Sequence, residues 1–512
     1  MTRWHIAGLI LLAIAIASPV LWTALSPNPP PAASAPAVVR ETFDPSKALD
    51  LTVRSKAQGE NDAPSAQWLE RELRHVLNRA KMRIVAADAH EANPFTLRVD
   101  LSEDSRNARL VLLSPDGFIE REETLELDDE TRLGTISALA ARLPRFLGRA
   151  EDWTPLIGTN VPSAYDVYLD DTLELFGPRA YGLTRPSPSR QLTHTIERLE
   201  RLVRTQPRFA RAWAALAGSY LGLGGQDARS LIELAESSAQ RALTLDEELA
   251  QAHAILGLVH SRRGEWIAAR EQLDRALSLD ASEAAALEGL GCLLVDAGQY
   301  TAARPVLGRA IALQPQNNGA RECLAYIEVS TASATATTTD EVVSPAAARV
   351  RAVGAILNGD PASAHALLSA SLDRRSFRNW AAPMLEGAAS RRRIPDALRA
   401  ITLAANEDQI DPWTEILCGL ALEQDEFVFN RMLRLQRRGE AIPFRILWLS
   451  QAASLRKHPR FEDLVSASTL PTFWQEYGPP DICASDPSVF GCQLSSRKKP
   501  HPGSRATSRL GS

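Results

Sequence analysis

Hydrophobic and polar positions follow three different rhythms along this chain, and each rhythm marks a different kind of element. From Trp4 to Leu25, about 22 residues carry no Asp, Glu, Lys or Arg, enough to cross a bilayer core of roughly 30 Å as one helix. A Pro- and Ala-rich stretch over 26–40 reads as a stiff linker. Over 41–150 the pattern is mixed. LDLTV and MRIVAA flank a segment in which Trp68, Leu69, Leu73, Val76, Leu77 and Ala80 recur at helical spacing, which predicts strand, helix, strand. FTLRVDL alternates Phe95, Leu97, Val99 and Leu101, a Pro115-Asp116-Gly117 turn separates two further strand-like runs, and TRLGTISALAARLPRFLG closes the unit as a helix. The expectation is a small α/β domain followed by a connecting segment, 151–192.

Beyond residue 193 the chain repeats itself. At a spacing of 34, Leu256-Gly257 aligns with Leu290-Gly291, Gly264 with Gly298, Trp266 with Tyr300, Ala269 with Ala303, Leu273 with Leu307 and Ala276 with Ala310. The small residue at a helix crossing, the turn glycine, the aromatic opening the second helix and the two alanines on it resemble the tetratricopeptide repeat, and Pro315 falls at that family's terminal proline. An earlier copy shows in Trp213, Leu216, Ala217 and Tyr220, then Ala235 and Ala242 after an insertion, and a fourth begins at NNGARECLAYIE. The repeats are assigned to 193–328, a Ser/Thr/Ala-rich linker to 329–345, degenerate helical repeats and a cap to 346–482, and an irregular basic tail to 483–512. The fold class is therefore mainly α: a tetratricopeptide-like α-solenoid preceded by a small α/β domain and one N-terminal transmembrane helix.

Such a resemblance implies protein binding on a concave surface made by the first helix of each pair. Carried over by position, that groove would display Arg211, Gln251, Leu258, Ser261, Arg262, Glu288, Cys292, Val295, Asp296, Glu322 and Tyr326. It lacks the basic cluster that clamps a peptide carboxylate, so charge complementarity names no ligand. His253 and His260 lie seven apart on one helix, too far for a paired metal site and more readily explained by packing than by pH sensing.

Composition narrows the function classes. Five positive charges follow the last acid, Asp486, leaving −10 on the rest of a chain whose formal total is −5, a poor footprint for nucleic acid. There is no G-x-S-x-G, no phosphate-cradling glycine loop and no H-E-x-x-H, so neither catalytic residue, cofactor nor metal is assigned. Arg3 is the only charged side chain before the span, which places Met1 in the cytoplasm and the bulk beyond an inner membrane, in the periplasm. The competing reading of the same residues is a cleaved signal peptide. The span is also a possible homodimer contact. Cys292, Cys323 and Cys418 sit in apolar helices as small hydrophobes. Cys483 and Cys492 flank an irregular stretch, where an exported protein permits a disulfide; zinc, with His501, is the alternative.

The end of the chain carries a second resemblance. Arg456, Pro459, Arg460 and Phe461, then Phe473, Trp474, Gly478, Pro480, Asp481 and Cys483, resemble the ending of membrane-anchored regulators of the ToxR and CadC type, whose exported half combines a unit similar to the N-terminal domain of TolB with tetratricopeptide repeats. Those regulators begin with a winged-helix DNA-binding domain, whereas only Met1, Thr2 and Arg3 precede this span, so no DNA-binding role carries over. The expectation is a non-catalytic, membrane-anchored periplasmic scaffold, with sensing as a further role; the runner-up is the exported sensor half of a regulator lacking or separated from its winged-helix domain. Phe461, Leu464, Phe473 and Trp474 are expected to cover the last helices as a lid.

Overall fold

A computed structural model describes residues 43–45, 47–55, 63–85, 94–102, 106–127, 131–176, 190–223, 228–331, 344–438 and 440–492. The expected membrane span and proline-rich linker, the end of the basic tail and most of the Ser/Thr/Ala-rich linker lie outside them. Among the described residues no helix is long and apolar enough to cross a membrane.

Four strands form one sheet in chain order: β1 (Leu49–Ser55), β2 (Phe95–Leu101), β3 (Asn107–Leu113) and β4 (Ile119–Glu126). β1 runs parallel to β2, joined through α1 (Ala63–Arg79), and the other pairs are antiparallel. Period-two alternation in β2 puts Phe95, Leu97, Val99 and Leu101 inside, and α1 packs on the neighbouring β1. α2 (Arg132–Phe146) starts where Thr131 Oγ1 accepts the Gly134 N–H. The strand expected at MRIVAA is corrected to a single bridge, Ile84 opposite Leu49. Lys81 takes a left-handed turn (φ 56°) and Arg83 is exposed; among the described residues of the run, 82–85, Met82 and Val85 are buried.

Helical pairs follow: α3 (Pro162–Phe176) with α4 (Arg190–Thr205), α5 (Ala210–Gly222) with α6 (Ala228–Leu245), α7 (Ala250–Arg262) with α8 (Trp266–Leu279), α9 (Ala284–Asp296) with α10 (Tyr300–Leu313), and α11 (Asn318–Ser330) with α12 (Pro345–Leu357). α3 falls within the stretch assigned above as a connector, and it packs on α4 and α5 as an opening pair. The pairs cross closely because their small residues allow it. A Cβ on Gly257 would stand 2.6 Å from Leu273 Cγ, and one on Gly291 2.5 Å from Leu307 Cδ2. First helices stack on first helices, α5 on α7, α7 on α9 and α9 on α11, which makes the array a solenoid.

The remainder is less regular. α13 (Pro361–Ser371) leads through a short helical turn and a π-helical turn, Phe377–Ala381, into α14 (Ala382–Ala389), then α15 (Ile394–Asn406), α16 (Pro412–Ala421) and α17 (Asp425–Arg438). Asp-Pro and Ser-Pro pairs start three of these later helices: Ser344, Asp360 and Asp411 each accept backbone N–H groups ahead of a first-turn proline. After α17 come 3-10 turns at Phe444–Trp448 and Ser450–Ala452, then α18 (Ala453–Lys457), α19 (Arg460–Ser466), α20 (Leu470–Tyr477) and a last turn, Asp481–Ala484.

Candidate functional site

The first helices α7, α9 and α11 supply the inner face on which the candidate residues were placed. Leu258, Glu288, Val295, Asp296, Glu322 and Tyr326 are all buried, whereas Gln251, Ser261 and Arg262 keep part of their surface exposed. The expectation of an open groove is therefore corrected at the buried positions, and the cause is the chain itself. The turn Phe444–Trp448 lies against α9 and α11. Arg445 donates through Nε to Asp296 Oδ1 at 2.7 Å and through its backbone N–H at 3.1 Å, and Nη2 bonds Asp296 Oδ2. Its guanidinium stacks 4.8 Å from the Trp413 ring centroid and stands 2.8 Å from Cys323 Sγ. Trp448 Nε1 donates to the Asp296 carbonyl at 2.6 Å, and Tyr300 Oη to the Arg445 carbonyl at 3.4 Å. Burial works against the Arg445 charge, but the Asp296 carboxylate outweighs it and holds the guanidinium pKa above its ordinary value.

Deeper along the same face, Asn317 Nδ2 donates to Glu288 at 3.0 Å. Burial pushes the Arg262 pKa down to about 10, a fall that Glu288 partly offsets. Arg211 is turned the other way, into the contact with the α/β domain. Its two Nη atoms clasp both oxygens of Glu72 on α1 at 2.7 Å, Tyr165 Oη donates to Glu72 at 2.6 Å, and the guanidinium lies 4.8 Å from the Tyr168 ring centroid. Burial alone would raise the Glu72 pKa, but Arg211 and Arg71 hold it well below the usual carboxylate range. Farther along α1, Arg79 pairs with Asp246 and Glu248 at the next inter-repeat turn.

A family model of the tetratricopeptide repeat matches residues 255–318 and 288–331. The chain carries tetratricopeptide repeats. No curated protein matches it. The matched span runs from within α7 to the end of α11, so the surface that tetratricopeptide repeats commonly offer to protein partners is, between α9 and α11, filled by this chain's own residues 444–448.

The C-terminal segment extends that enclosure over the tetratricopeptide turns. Trp474 Nε1 donates to Ala297 O at 2.9 Å, Gln299 Nε2 to Gly478 O at 2.6 Å, and Asp481 N to Gly298 O at 2.9 Å. Asp481 Oδ2 accepts from Thr301 N and Oγ1, and Thr469 Oγ1 donates to Gly264 O at 2.6 Å. Phe461, Leu464, Phe473 and Trp474 are buried; Phe473 packs on Trp266 and Trp474 bonds Ala297 at the middle repeats, while Arg460, next to Phe461, bonds Asn430 and pairs with Glu426 on α17. Two of the cysteines need correction. Cys292 and Cys323, expected as small hydrophobes in apolar helices, are bonded across the stacked α9 and α11, with Cα atoms 5.6 Å apart. Cys483 is bonded to Cys492 at a Cα separation of 5.4 Å; the zinc alternative required His501, outside the described residues. Cys418 is a buried free thiol whose pKa burial raises.

His253 bonds Gln272 Oε1 and Glu247 O, and His260 bonds Glu265, each next to its own helix pair. Among the described residues no group of three His, Cys, Asp or Glu side chains is placed to hold a metal ion. Arg445, Trp413, Trp448 and Glu72 were missed from the sequence. One signal was present: a single arginine inside the apolar run PFRILWL rarely goes inside without a carboxylate waiting for it.

Proposed function

We propose that this protein is a non-catalytic, membrane-anchored scaffold that presents part of a tetratricopeptide array to protein partners outside the cytoplasm. The observation that carries the binding role is the array itself, together with a partly exposed strip of α7, Gln251, Ser261 and Arg262, left where the inner face is not filled by residues 444–448. Two bonded cysteine pairs support an oxidising compartment, and the uncharged run 4–25 supports a membrane anchor.

A photo-crosslinking amino acid at Ser261 of the full chain, in cells, tests this reading. The expected result is an adduct with another protein in the alkali-resistant membrane fraction, absent when the probe stands at the buried Val295. Recovery of the chain in the alkali-soluble fraction, or equal adducts from both positions, contradicts it. The runner-up, an exported sensor half of a transmembrane regulator, is favoured by the Glu72–Arg211 clasp, which joins the α/β domain to the first repeats through a buried ion pair.

A further inference from the structure

The outer edge of β4 has no strand beside it among the described residues, since the sheet ends there. An exposed edge is a template for pairing, and most proteins blunt it with charge. Here the charges are arranged so that they match their own copy.

The phase of the ladder follows from one bond. Leu127 N donates to Arg106 O, so along the antiparallel pair with β3 the odd residues Arg121, Glu123 and Leu125 turn their backbone groups inward, and Glu122, Thr124 and Glu126 turn theirs to the open edge; the register shifts at Glu120, and the alternation ends there. Residues directly opposite in an antiparallel pair must be of the same kind. A second β4 related by a two-fold axis therefore pairs with the axis at residue 121, 122, 123 or 124. With the axis at Arg121, arginine faces arginine. An axis at Glu123 sets Glu123 against itself, and one at Thr124 sets Glu122 against Glu126. Only the axis at Glu122 brings opposite charges together: Arg121 faces Glu123 of the second copy, twice. Its single like pair, Glu122 with Glu122, lies on the open sheet face, where Arg109 Nε of the same chain donates to Glu122 Oε1 at 2.8 Å.

The Arg121 and Glu123 face has room for the incoming side chain. A cavity of about 330 Å³ opens there, lined by Arg121, Glu122, Glu123, Arg142, Arg145 and Phe146. Within it Arg121 donates to the Phe146 carbonyl and Arg142 pairs with Glu123, while Arg145 makes no ion pair among the described residues. Three guanidinium groups against two carboxylates leave positive charge for a carboxylate from outside.

We propose that two copies of this chain associate edge to edge through β4, about a two-fold axis at Glu122, to form one continuous eight-stranded sheet. The contact area of a single strand edge is small, so the association is weak and reversible.

The test is cysteine cross-linking of the full-length chain in native extract under mild oxidation. Residues opposite each other in a hydrogen-bonded pair have Cα atoms about 5.5 Å apart, within reach of a disulfide. E122C is expected to give a covalent dimer, and E126C, whose copies would lie about 27 Å apart in this register, none. Adding R121E or E123R to E122C should each lower the dimer yield at least tenfold. Mixing those two double variants, differently tagged, should restore it, because every facing pair is then opposite in charge. Absence of a dimer from E122C, an equal dimer from E126C, or a yield indifferent to the charge changes overturns the proposal.

Discussion

Two stretches of the array meet the same turn in different company. At the α7–α8 turn, Gly264 (φ +72°) has open space around it, the nearest atom to a Cβ being Trp266 Nε1 at 4.0 Å. At the α9–α10 turn, one repeat later, Gly298 (φ +78°) is roofed over, and a Cβ would stand 2.7 Å from Pro480 and 3.2 Å from the Trp448 ring. The repeats are alike in sequence and in local structure. What separates them is the C-terminal segment, which roofs the second glycine directly, whereas at the first turn it bonds the Gly264 carbonyl through Thr469 and packs Phe444 and Phe473 on Trp266, leaving the glycine itself uncovered. A tetratricopeptide groove is thus a local property of each helix pair, and whether it is available depends on residues far along the chain.

The strongest way to break the difference is to remove the roof. Trp474 is fully buried, packed edge-on against Trp448 at 5.5 Å and bonded to Ala297 O. Trp474→Ala should cost about 3–5 kcal/mol in chemical denaturation, and hydrogen exchange should show the loss of protection at the α9–α10 turn before the α7–α8 turn. A uniform loss across both turns would mean that the roof is not specific.

Alanine at each of the two glycines sharpens the comparison. Both substitutions force an L-residue into a left-handed turn, at about 1–2 kcal/mol. Gly298→Ala must also displace Pro480 and Trp448, for about 1–3 kcal/mol more. Equal destabilisation of the two variants would show that the segment does not bear on the second turn.

The smallest expected effect concerns the other end of the array. Burial first, and then the Arg211 charge, hold the His75 pKa well below its ordinary value, against the pull of Glu72. The folded state therefore keeps His75 neutral while the unfolded chain takes up a proton below about pH 6.5. This contribution to stability is complete above that pH and is lost as the pH falls, by at most about 1.4 kcal/mol per unit for one proton. Glu72, with its depressed pKa, adds a second loss that begins only below about pH 4.5. Denaturation midpoints between pH 7 and 5 should decline in the parent chain and decline less in His75→Gln. An identical slope in the two proteins would remove His75 from the account.

Much of the array was legible in the sequence because its contacts are local. Gly257 with Leu273 and Gly291 with Leu307 meet within one helix pair, so a 34-residue alignment displays them directly. The α/β domain was legible for the same reason, except at MRIVAA, whose described residues form one bridge, at Ile84. The filling of the groove was not. Asp296 and Arg445 meet across 149 residues, and Cys292 and Cys323 across 31; no period relates them. Side chains that a repeat pattern assigns to a surface were read as available because the pattern says which way a residue faces and not what covers it. Asp296, Glu322 and Tyr326 face inward to the groove as the pattern implies, and the groove is full there.

The central claim is that Arg445 and Asp296 hold the C-terminal segment inside the array, and a double-mutant cycle on the full chain tests it most directly. Asp296→Asn and Arg445→Gln each leave a buried charge without its partner and should cost about 3–5 kcal/mol alone. The double variant should be far less destabilised than the sum, since neither charge is then left unpaired. Costs that add to within about 0.5 kcal/mol would show that the two side chains do not interact, and the account of a self-filled groove would fail.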